Sequence, residues 1–244
     1  MIEPVLHIFK NADELASGFI EHLLDLSDTM LTKKNKINIS LSGGSTPKKV
    51  FVLIKEKYSN NFKWDKMHFY WGDERCVPSE DNESNYGEAK RLLFDHIQIP
   101  NGNIHYIIGN NQPETEVKRY TNEILKNIEI INDIPCIDIN ILGMGDDGHT
   151  ASIFPDQMNL LNTNDLCSIA THPVTKQKRI TLTGKILNNA QYTYLLVSGK
   201  NKAGILKEVL QNQKEALNYP IYYINPASHN LEYFIDEEAA DFIG

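Results

Sequence analysis

The chain has 244 residues, of which 41% are apolar and 23% charged, a composition that excludes collagen, coiled coil and intrinsic disorder. Its 32 acidic and 24 basic residues leave a formal net charge of −8, which argues against nonspecific binding to nucleic acids or membranes. No run of about 18 apolar residues could span a membrane, and the first residues lack the pattern of a secretory signal, so we expect a cytoplasmic protein.

Short apolar runs typical of strands alternate with longer stretches of helical periodicity along the chain. We predict strands at residues 5–9, 37–41, 67–71, 104–107, 137–142, 180–182, 194–197 and 221–223. We predict helices at residues 12–30, 47–58, 85–93, 115–128 and 201–210. This alternation favours an α/β fold of three layers, with a largely parallel sheet between helices. Because neither repeats nor a polar linker interrupt the pattern, we expect residues 1–244 to form a single domain.

Ligands in such folds bind beyond the carboxyl ends of the strands, and two glycine-rich segments follow predicted strands there. The first is LSGGSTP at residues 41–47. Its adjacent glycines let the backbone approach a ligand, and the following helix presents free N–H groups at its first turn. The segment is therefore a candidate phosphate cradle, formed by Ser42, Gly43, Gly44, Ser45 and Thr46. A glycine turn with a helix cap is the alternative.

The second segment is GMGDDGHT at residues 143–150, and it contains the spacing G-x-G-x-x-G. A dinucleotide site is disfavoured, because the segment follows a late strand and would place Asp146 and Asp147 against a pyrophosphate. His149 suits a general base, since histidine titrates near neutral pH and Asp147 lies two positions before it in the sequence. A purely structural histidine is the alternative.

Further segments carry charge suited to an anion. WGDERCVP at residues 71–78 could project Asp73 and Arg75 over the edge of the sheet, or Arg75 could form an ordinary surface ion pair. Arg179 and Lys202 could supply more positive charge, or could simply be solvated. The sequence has neither an H-E-x-x-H motif nor a cluster of cysteine and histidine, so we expect no metal site.

These motifs together resemble the 6-phosphogluconolactonase family over about residues 40 to 240. The matching segments, in the family's order, are LSGGSTP, WGDERCVP with SNY, LGMGDDGHTASIFP, RITLT, SGKNKA and FIDEEAA. The resemblance implies a sugar-phosphate isomerase-like, Rossmann-like fold. It also implies hydrolysis of 6-phospho-D-glucono-1,5-lactone to 6-phosphogluconate in the pentose phosphate pathway, with no metal or organic cofactor. The expected partner is this small sugar phosphate, and a monomer is the expected state.

The resemblance also implies roles for the catalytic candidates. His149 would activate the water that attacks the lactone carbonyl, and would then protonate the departing ring oxygen. Asp147 would orient its imidazole, with Asp73 as a competitor for that role. Arg75, or backbone N–H groups near the glycines, would stabilise the oxyanion. Arg179 and Lys202 would neutralise the 6-phosphate held by the candidate cradle.

Two other functions stay open at this stage. Glucosamine-6-phosphate deaminases share the fold that the resemblance implies, but they carry a catalytic glutamate where this chain has Phe154, just before Pro155. They also carry an aromatic residue at the position of Arg75. A sugar-phosphate sensor without catalysis would keep the phosphate cradle, and the presence of His149 argues against it.

Overall fold

The computed structural model describes residues 3–243, which form eleven strands and six α-helices. In chain order the strands are β1 (Val5–Phe9), β2 (Ile37–Leu41), β3 (Met67–Trp71), β4 (Asp73–Arg75), β5 (Ile130–Ile131), β6 (Ile134–Pro135), β7 (Ile139–Gly143), β8 (Cys167–Thr171), β9 (Lys178–Leu182), β10 (Tyr192–Val197) and β11 (Leu231–Asp236). The α-helices are α1 (Ala12–Leu31), α2 (Ser45–Leu53), α3 (Asn85–Leu92), α4 (Pro113–Asn127), α5 (Gly184–Leu187) and α6 (Ala203–Leu210).

Six strands form one parallel sheet in the order β1-β11-β10-β7-β2-β3. Helices α1 and α2 pack on one face, where Phe19 of α1 and Ile39 of β2 enclose the same apolar space. On the opposite face, Glu123 of α4 hydrogen-bonds His105, whose ring stacks on Tyr70 of β3. The sheet therefore lies between helices, and the predicted three-layer α/β fold with a largely parallel sheet is confirmed.

Local sequence explains why these elements form where they do. The side chain of Asn11 caps α1 by accepting hydrogen bonds from the backbone N–H groups of Asp13 and Glu14. Leu15 and Phe19, four residues apart, are fully buried and turn one stripe of the helix toward the sheet. All five residues of β2 are buried, as expected of a parallel strand covered on both faces.

A second, antiparallel sheet of β4, β9 and β8 lies beyond the end of β3. Gly72 joins β3 to β4, and its carbonyl accepts a hydrogen bond from the N–H of Leu182 in β9. Within this sheet Asp73 pairs with Thr181, and Arg75 pairs with Arg179. The strand pairing thus brings together two arginines that lie more than 100 positions apart in the sequence.

Two predicted strands are wrong. Residues 104–107 form no strand, and only Ile104 makes an isolated parallel bridge, to Phe69. Residues 221–223 lie in a 3-10 turn, Pro220–Tyr223, that begins at a proline. Proline fixes φ for a helical turn and offers no N–H to a strand ladder, which explains this outcome.

Strands β4, β5, β6, β8 and β11 were not predicted from the sequence, and β11 is an interior strand of the parallel sheet, between β1 and β10. Its polar Glu232 and Asp236 break the apolar run that would have indicated a buried strand. The structure gives both acids partners: Glu232 accepts a 2.6 Å hydrogen bond from His7, and Asp236 accepts one from the N–H of Gly199. Polar residues in a buried strand are tolerated when they are paired in this way.

The two ends of the described chain meet in the same sheet, because β1 pairs with β11 along five residues. The expected single domain over residues 1–244 stays a prediction, which this adjacency supports. Between residues 3 and 243, none of the helices combines the length and apolar character needed to cross a membrane.

Candidate active site

A cleft of about 280 Å³ lies where β2 and β7 of the parallel sheet end and the chain turns into glycine-rich loops. Nine of the eleven predicted site residues line it, namely Ser42, Gly43, Gly44, Ser45, Asp73, Arg75, His149, Arg179 and Lys202. The other lining residues are Asn85, Gly143, Met144, Gly145 and Ala151. The two predicted residues outside this lining are Thr46, which is buried in the first turn of α2, and Asp147, which lies beside His149.

Gly43 and Gly44 of the candidate phosphate cradle favour glycine for two different structural reasons. A β-carbon at Gly43 would stand 1.9 Å from Oδ1 of Asn85, so this position has no room for a side chain. Gly44 has a φ of 111°, a conformation that favours glycine, and it caps α2. The first turn of α2, beginning at Ser45, therefore faces the cleft with N–H groups that have no acceptor within the helix. The hydroxyl of Ser42 is already engaged, since it donates to the carbonyl of Ile141.

His149 is fixed by a tight turn of the loop that follows β7. The N–H of Gly145 donates to the carbonyl of His149 at 2.8 Å, and Gly148 adopts a φ of 79°. Nδ1 of His149 lies 2.5 Å from Oδ1 of Asp147, which also accepts the backbone N–H of His149. The aspartate that contacts the imidazole in this structure is therefore Asp147, whereas Asp73 accepts a 2.6 Å hydrogen bond from Ser152.

The charge of Asp147 determines which ring nitrogen of His149 carries the proton. Burial alone would raise the pKa of Asp147, but hydrogen bonds from the His149 side chain and backbone lower it to about 2. Asp147 is thus a carboxylate at neutral pH and accepts the proton on Nδ1 of His149. In the neutral imidazole, Nε2 is then the nitrogen with a free lone pair, which is the state that a general base requires.

Two arginines bring positive charge to the cleft. Arg179 is buried, with Nη1 at 3.4 Å from the Ser152 hydroxyl and 4.0 Å from Oδ2 of Asp73. Burial lowers the pKa of Arg179, and nearby Asp73 opposes that effect. Arg75 donates from Nη1 to the carbonyl of Glu83. In the part of the chain that the structure describes, Nε of both arginines is buried without a hydrogen-bond partner.

Lys202 has a different environment from the arginines. Its Nζ donates to the carbonyl of Met144 at 2.6 Å and pairs with Oδ1 of Asp146 at 2.6 Å. Asn201 also donates to Asp146, and the hydrogen bond from Lys202 lowers the pKa of that carboxyl. Lys202 therefore ties the loop after β7 to the start of α6, in addition to lining the cleft.

Phe154 is the residue at which the family resemblance led us to expect a glutamate in the deaminases. Its ring is fully buried, with its centre 4.8 Å from the His149 ring and 5.6 Å from the guanidinium carbon of Arg179. His172 packs against the same ring at 5.2 Å. Phe154 thus supports the two neighbouring polar side chains and supplies no group that can transfer a proton.

Asn85 is the clearest cleft residue to which the sequence analysis gave no role. It begins α3 behind the cap Ser84, and its Nδ2 donates to the carbonyl of Asp73 at 2.9 Å. The SNY motif, residues 84–86, was the available signal, because it formed part of the family resemblance. Among residues 3–243, no three histidine, cysteine or acidic side chains are arranged to hold a metal ion.

Comparison with known proteins gives consistent matches over nearly the whole chain. A 6-phosphogluconolactonase of Haemophilus influenzae is 48% identical over 204 residues, which cover 83% of this chain and 86% of that protein. The crystal structure of the devB protein has a TM-score of 0.92 and 39% identity, covering 98% of this chain and 99% of that one. The 6-phosphogluconolactonase structure of Thermotoga maritima has a TM-score of 0.84 and 29% identity, covering 96% and 99% of the two chains.

The sequence pattern of one family, described as glucosamine-6-phosphate isomerases/6-phosphogluconolactonase, matches residues 10–233. That range includes every residue that lines the cleft. The chain therefore belongs to the glucosamine-6-phosphate isomerase/6-phosphogluconolactonase family.

Proposed function

We propose that this chain is a 6-phosphogluconolactonase, which hydrolyses 6-phospho-D-glucono-1,5-lactone to 6-phosphogluconate in the oxidative pentose phosphate pathway. The observation that carries the proposal is the His149–Asp147 pair, which shares one cleft with the first turn of α2 and with two arginines. A lactone hydrolase that acts on a phosphorylated sugar needs both a base and an anion site. The names of the similar proteins support the same activity.

In the proposed mechanism, Nε2 of His149 accepts a proton from a water molecule as its oxygen attacks C1 of the lactone. Asp147 holds the ring in the required tautomer and stabilises the imidazolium that forms. The carbonyl oxygen becomes an oxyanion, which Arg75 or backbone N–H groups of the glycine loops stabilise. The tetrahedral intermediate then collapses, the bond from C1 to the ring oxygen breaks, and His149 returns the proton to that oxygen.

The 6-phosphate lies, in this proposal, against the first turn of α2 and the cradle residues 42–46. Free N–H groups and the positive end of the helix dipole favour an anion there. Arg179 and Lys202 add positive charge, with Asp73 positioning Arg179 through the hydroxyl of Ser152. The steps proposed for these residues need no cofactor, and the cytoplasmic location and monomeric state stay predictions.

The deaminase alternative is disfavoured by Phe154, because a buried ring between His149 and Arg179 replaces the glutamate that the deaminase reaction uses. The sensor alternative keeps the anion site and leaves the His149–Asp147 pair without a purpose. Ammonia release from glucosamine 6-phosphate tests the first alternative, and binding of 6-phosphogluconate without turnover of the lactone tests the second.

The test is a coupled assay at slightly acidic pH, where the lactone opens slowly by itself. Glucose 6-phosphate and its dehydrogenase generate the lactone, and formation of 6-phosphogluconate is followed with wild type, His149→Ala and the control His96→Ala. We expect His149→Ala to lower kcat by about 10²–10⁴-fold with little change in KM, since a general base acts in the transition state. His96 is exposed and is absent from the cleft lining, so its variant is expected to retain wild-type rates.

Three results would count against the proposal. A folded wild type that does not accelerate hydrolysis rejects the activity. An unchanged kcat in His149→Ala removes the role of the base. Equal kcat/KM on unphosphorylated gluconolactone removes the role of the phosphate site.

A further inference from the structure

Tyr219 packs directly under the loop that carries His149, although it lies about 70 positions later in the sequence and outside every motif singled out above. It stands between two 3-10 turns, Lys214–Asn218 and Pro220–Tyr223. Three carbons of the Tyr219 side chain lie within 2.7 Å of the point where a β-carbon on Gly148 would stand. The same segment contacts the loop through its backbone, since the N–H of Ile221 donates to the carbonyl of Gly148 at 3.1 Å.

The Tyr219 ring is itself held in place. Its hydroxyl donates to Oε2 of Glu208 on α6 at 2.7 Å, and its N–H donates to the carbonyl of Ala216 at 3.0 Å. The start of α6 carries Lys202, which binds the carbonyl of Met144 at the other end of the loop. Both ends of the loop after β7 are therefore anchored to α6, one through Lys202 and the other through Tyr219.

Gly148 is the residue through which this packing can reach the proposed chemistry. It lies between Asp147 and His149 in the sequence, and its φ of 79° belongs to a region that favours glycine. The Tyr219 ring occupies the space that a side chain at residue 148 would need. This close packing restricts the backbone conformation of the turn at Gly148. A change of φ or ψ at Gly148 would move His149 relative to Asp147, because the two side chains are joined across this one residue.

We propose that Tyr219 is a positioning residue for the hydrolysis proposed above, on which this inference rests. Its ring supports Gly148 and thereby holds the Asp147–His149 hydrogen bond in the geometry that the base requires. Tyr219 acts through the loop and is absent from the lining of the cleft. The aromatic ring is the essential part, and the hydroxyl serves to orient it against Glu208.

The kinetic test compares Tyr219→Ala and Tyr219→Phe with the wild type in the coupled assay. We expect Tyr219→Ala to lower kcat roughly 10- to 100-fold at nearly unchanged KM, because a shift of about 1 Å in a reacting group has an effect of that size. Tyr219→Phe keeps the ring and is expected to stay within about threefold of wild type, because only the bond to Glu208 is lost. Tyr223→Ala is the matched control, since that exposed tyrosine bonds Leu217 in the same segment.

A second measurement does not depend on activity. The proton that Nδ1 of His149 shares with Asp147 gives an NMR resonance that reports their hydrogen bond. We expect this resonance to shift or broaden in Tyr219→Ala and to persist in Tyr219→Phe and Tyr223→Ala. If Tyr219→Ala fails to fold, Tyr219→Leu fills the space without a planar ring and is expected to show a smaller change in the same direction.

The outcomes separate this inference from the proposed function. A wild type without lactone turnover rejects the function, and the NMR comparison still decides whether Tyr219 positions the pair. An active wild type whose kcat and Nδ1 resonance are both unchanged in folded Tyr219→Ala overturns the inference. Equal kinetic losses in Tyr219→Ala and Tyr223→Ala would also overturn it, because the effect would then be a general one of the segment.

Discussion

The absence of a β-carbon at Gly145 leaves the space that the His149 imidazole occupies. A β-carbon there would stand 2.1 Å from Nδ1 of His149 and 2.8 Å from Oδ1 of Asp147. Unlike Gly148, whose φ is positive, Gly145 has a backbone conformation that other residues adopt readily. The requirement for glycine at Gly145 is therefore one of space, and the imidazole fills that space.

We expect Gly145→Ala to lower kcat by about 10-fold or more, because the methyl group displaces the imidazole from Asp147 and a small displacement of a reacting group is costly. The rates are measured in the coupled lactone assay. Gly204→Ala is the control, since Gly204 lies in α6 with no atom within 4 Å of the added carbon. That variant is expected to keep its kcat and to gain roughly 0.5–1 kcal/mol of stability, as alanine favours helix. A wild-type kcat in Gly145→Ala would contradict the argument.

Glu74 connects two elements of the fold, because its side chain joins β4 to the first turn of α3. Its buried carboxylate accepts the backbone N–H groups of Arg75, Asn85 and Tyr86, each at 2.8 Å, and the hydroxyl of Ser84 at 3.0 Å. These bonds satisfy N–H groups that a helix start leaves without partners. Because Asn85 and Arg75 both line the cleft, the same carboxylate also helps to shape its wall.

Burial raises the pKa of Glu74 to about 7, although hydrogen bonds from the backbone of Tyr86, Asn85 and Arg75 oppose it. The folded protein therefore binds this proton up to a higher pH than the unfolded chain, whose glutamate titrates near 4.5. It follows that the contribution of Glu74 to the free energy of unfolding falls as pH rises from about 4.5 to about 7.

We expect Glu74→Gln to remove this contribution. Between pH 5 and pH 7.5, the free energy of unfolding of the variant should therefore fall less than that of wild type. The difference between the two changes is at most roughly 3 kcal/mol. Urea unfolding at the two pH values measures it, and Glu80→Gln, at an exposed glutamate nearby, serves as control. Identical pH dependence in Glu74→Gln and wild type would show that Glu74 does not carry the raised pKa.

The first and last strands of the chain, β1 and β11, lie side by side in the parallel sheet. Strand β1 is paired in parallel with β11, and β11 is paired in parallel with β10. Detaching β1 would therefore expose an edge of β11, and detaching β11 would expose edges of both β1 and β10. This arrangement supports the expectation of one cooperative domain.

We expect a single unfolding transition in urea, with the same midpoint for every probe. The fluorescence of Trp64 and Trp71, both buried near β3 at one edge of the sheet, reports that edge. Far-UV circular dichroism reports all helices, and hydrogen exchange of the amides in β11 reports the opposite part of the sheet. Two transitions with separate midpoints would show that the chain contains more than one folding unit.

Much of this molecule followed from local sequence, because hydrophobic periodicity and glycine clusters act over a few neighbouring residues. The runs at β2, β3 and β10 and the helices α1 and α4 are apolar in a pattern that predicts their class. The segments at residues 41–47 and 143–150 indicated a site because they follow predicted strands in an α/β fold. Local sequence could not reveal β11, since its polar residues find their partners in β1 and in the loop after β10.

Patterns in the sequence were enough to predict the α/β class, the two glycine-rich loops and nine of the residues that line the cleft. Tertiary structure alone decided that Asp147 contacts His149 while Asp73 turns to Ser152. It also placed Arg75 opposite Arg179 in the antiparallel sheet, and Tyr219 against Gly148. These relations join segments distant in sequence, or select between two aspartates of equal chemistry. The choice depends on how strands and loops pack in space, which no pattern of neighbouring residues records.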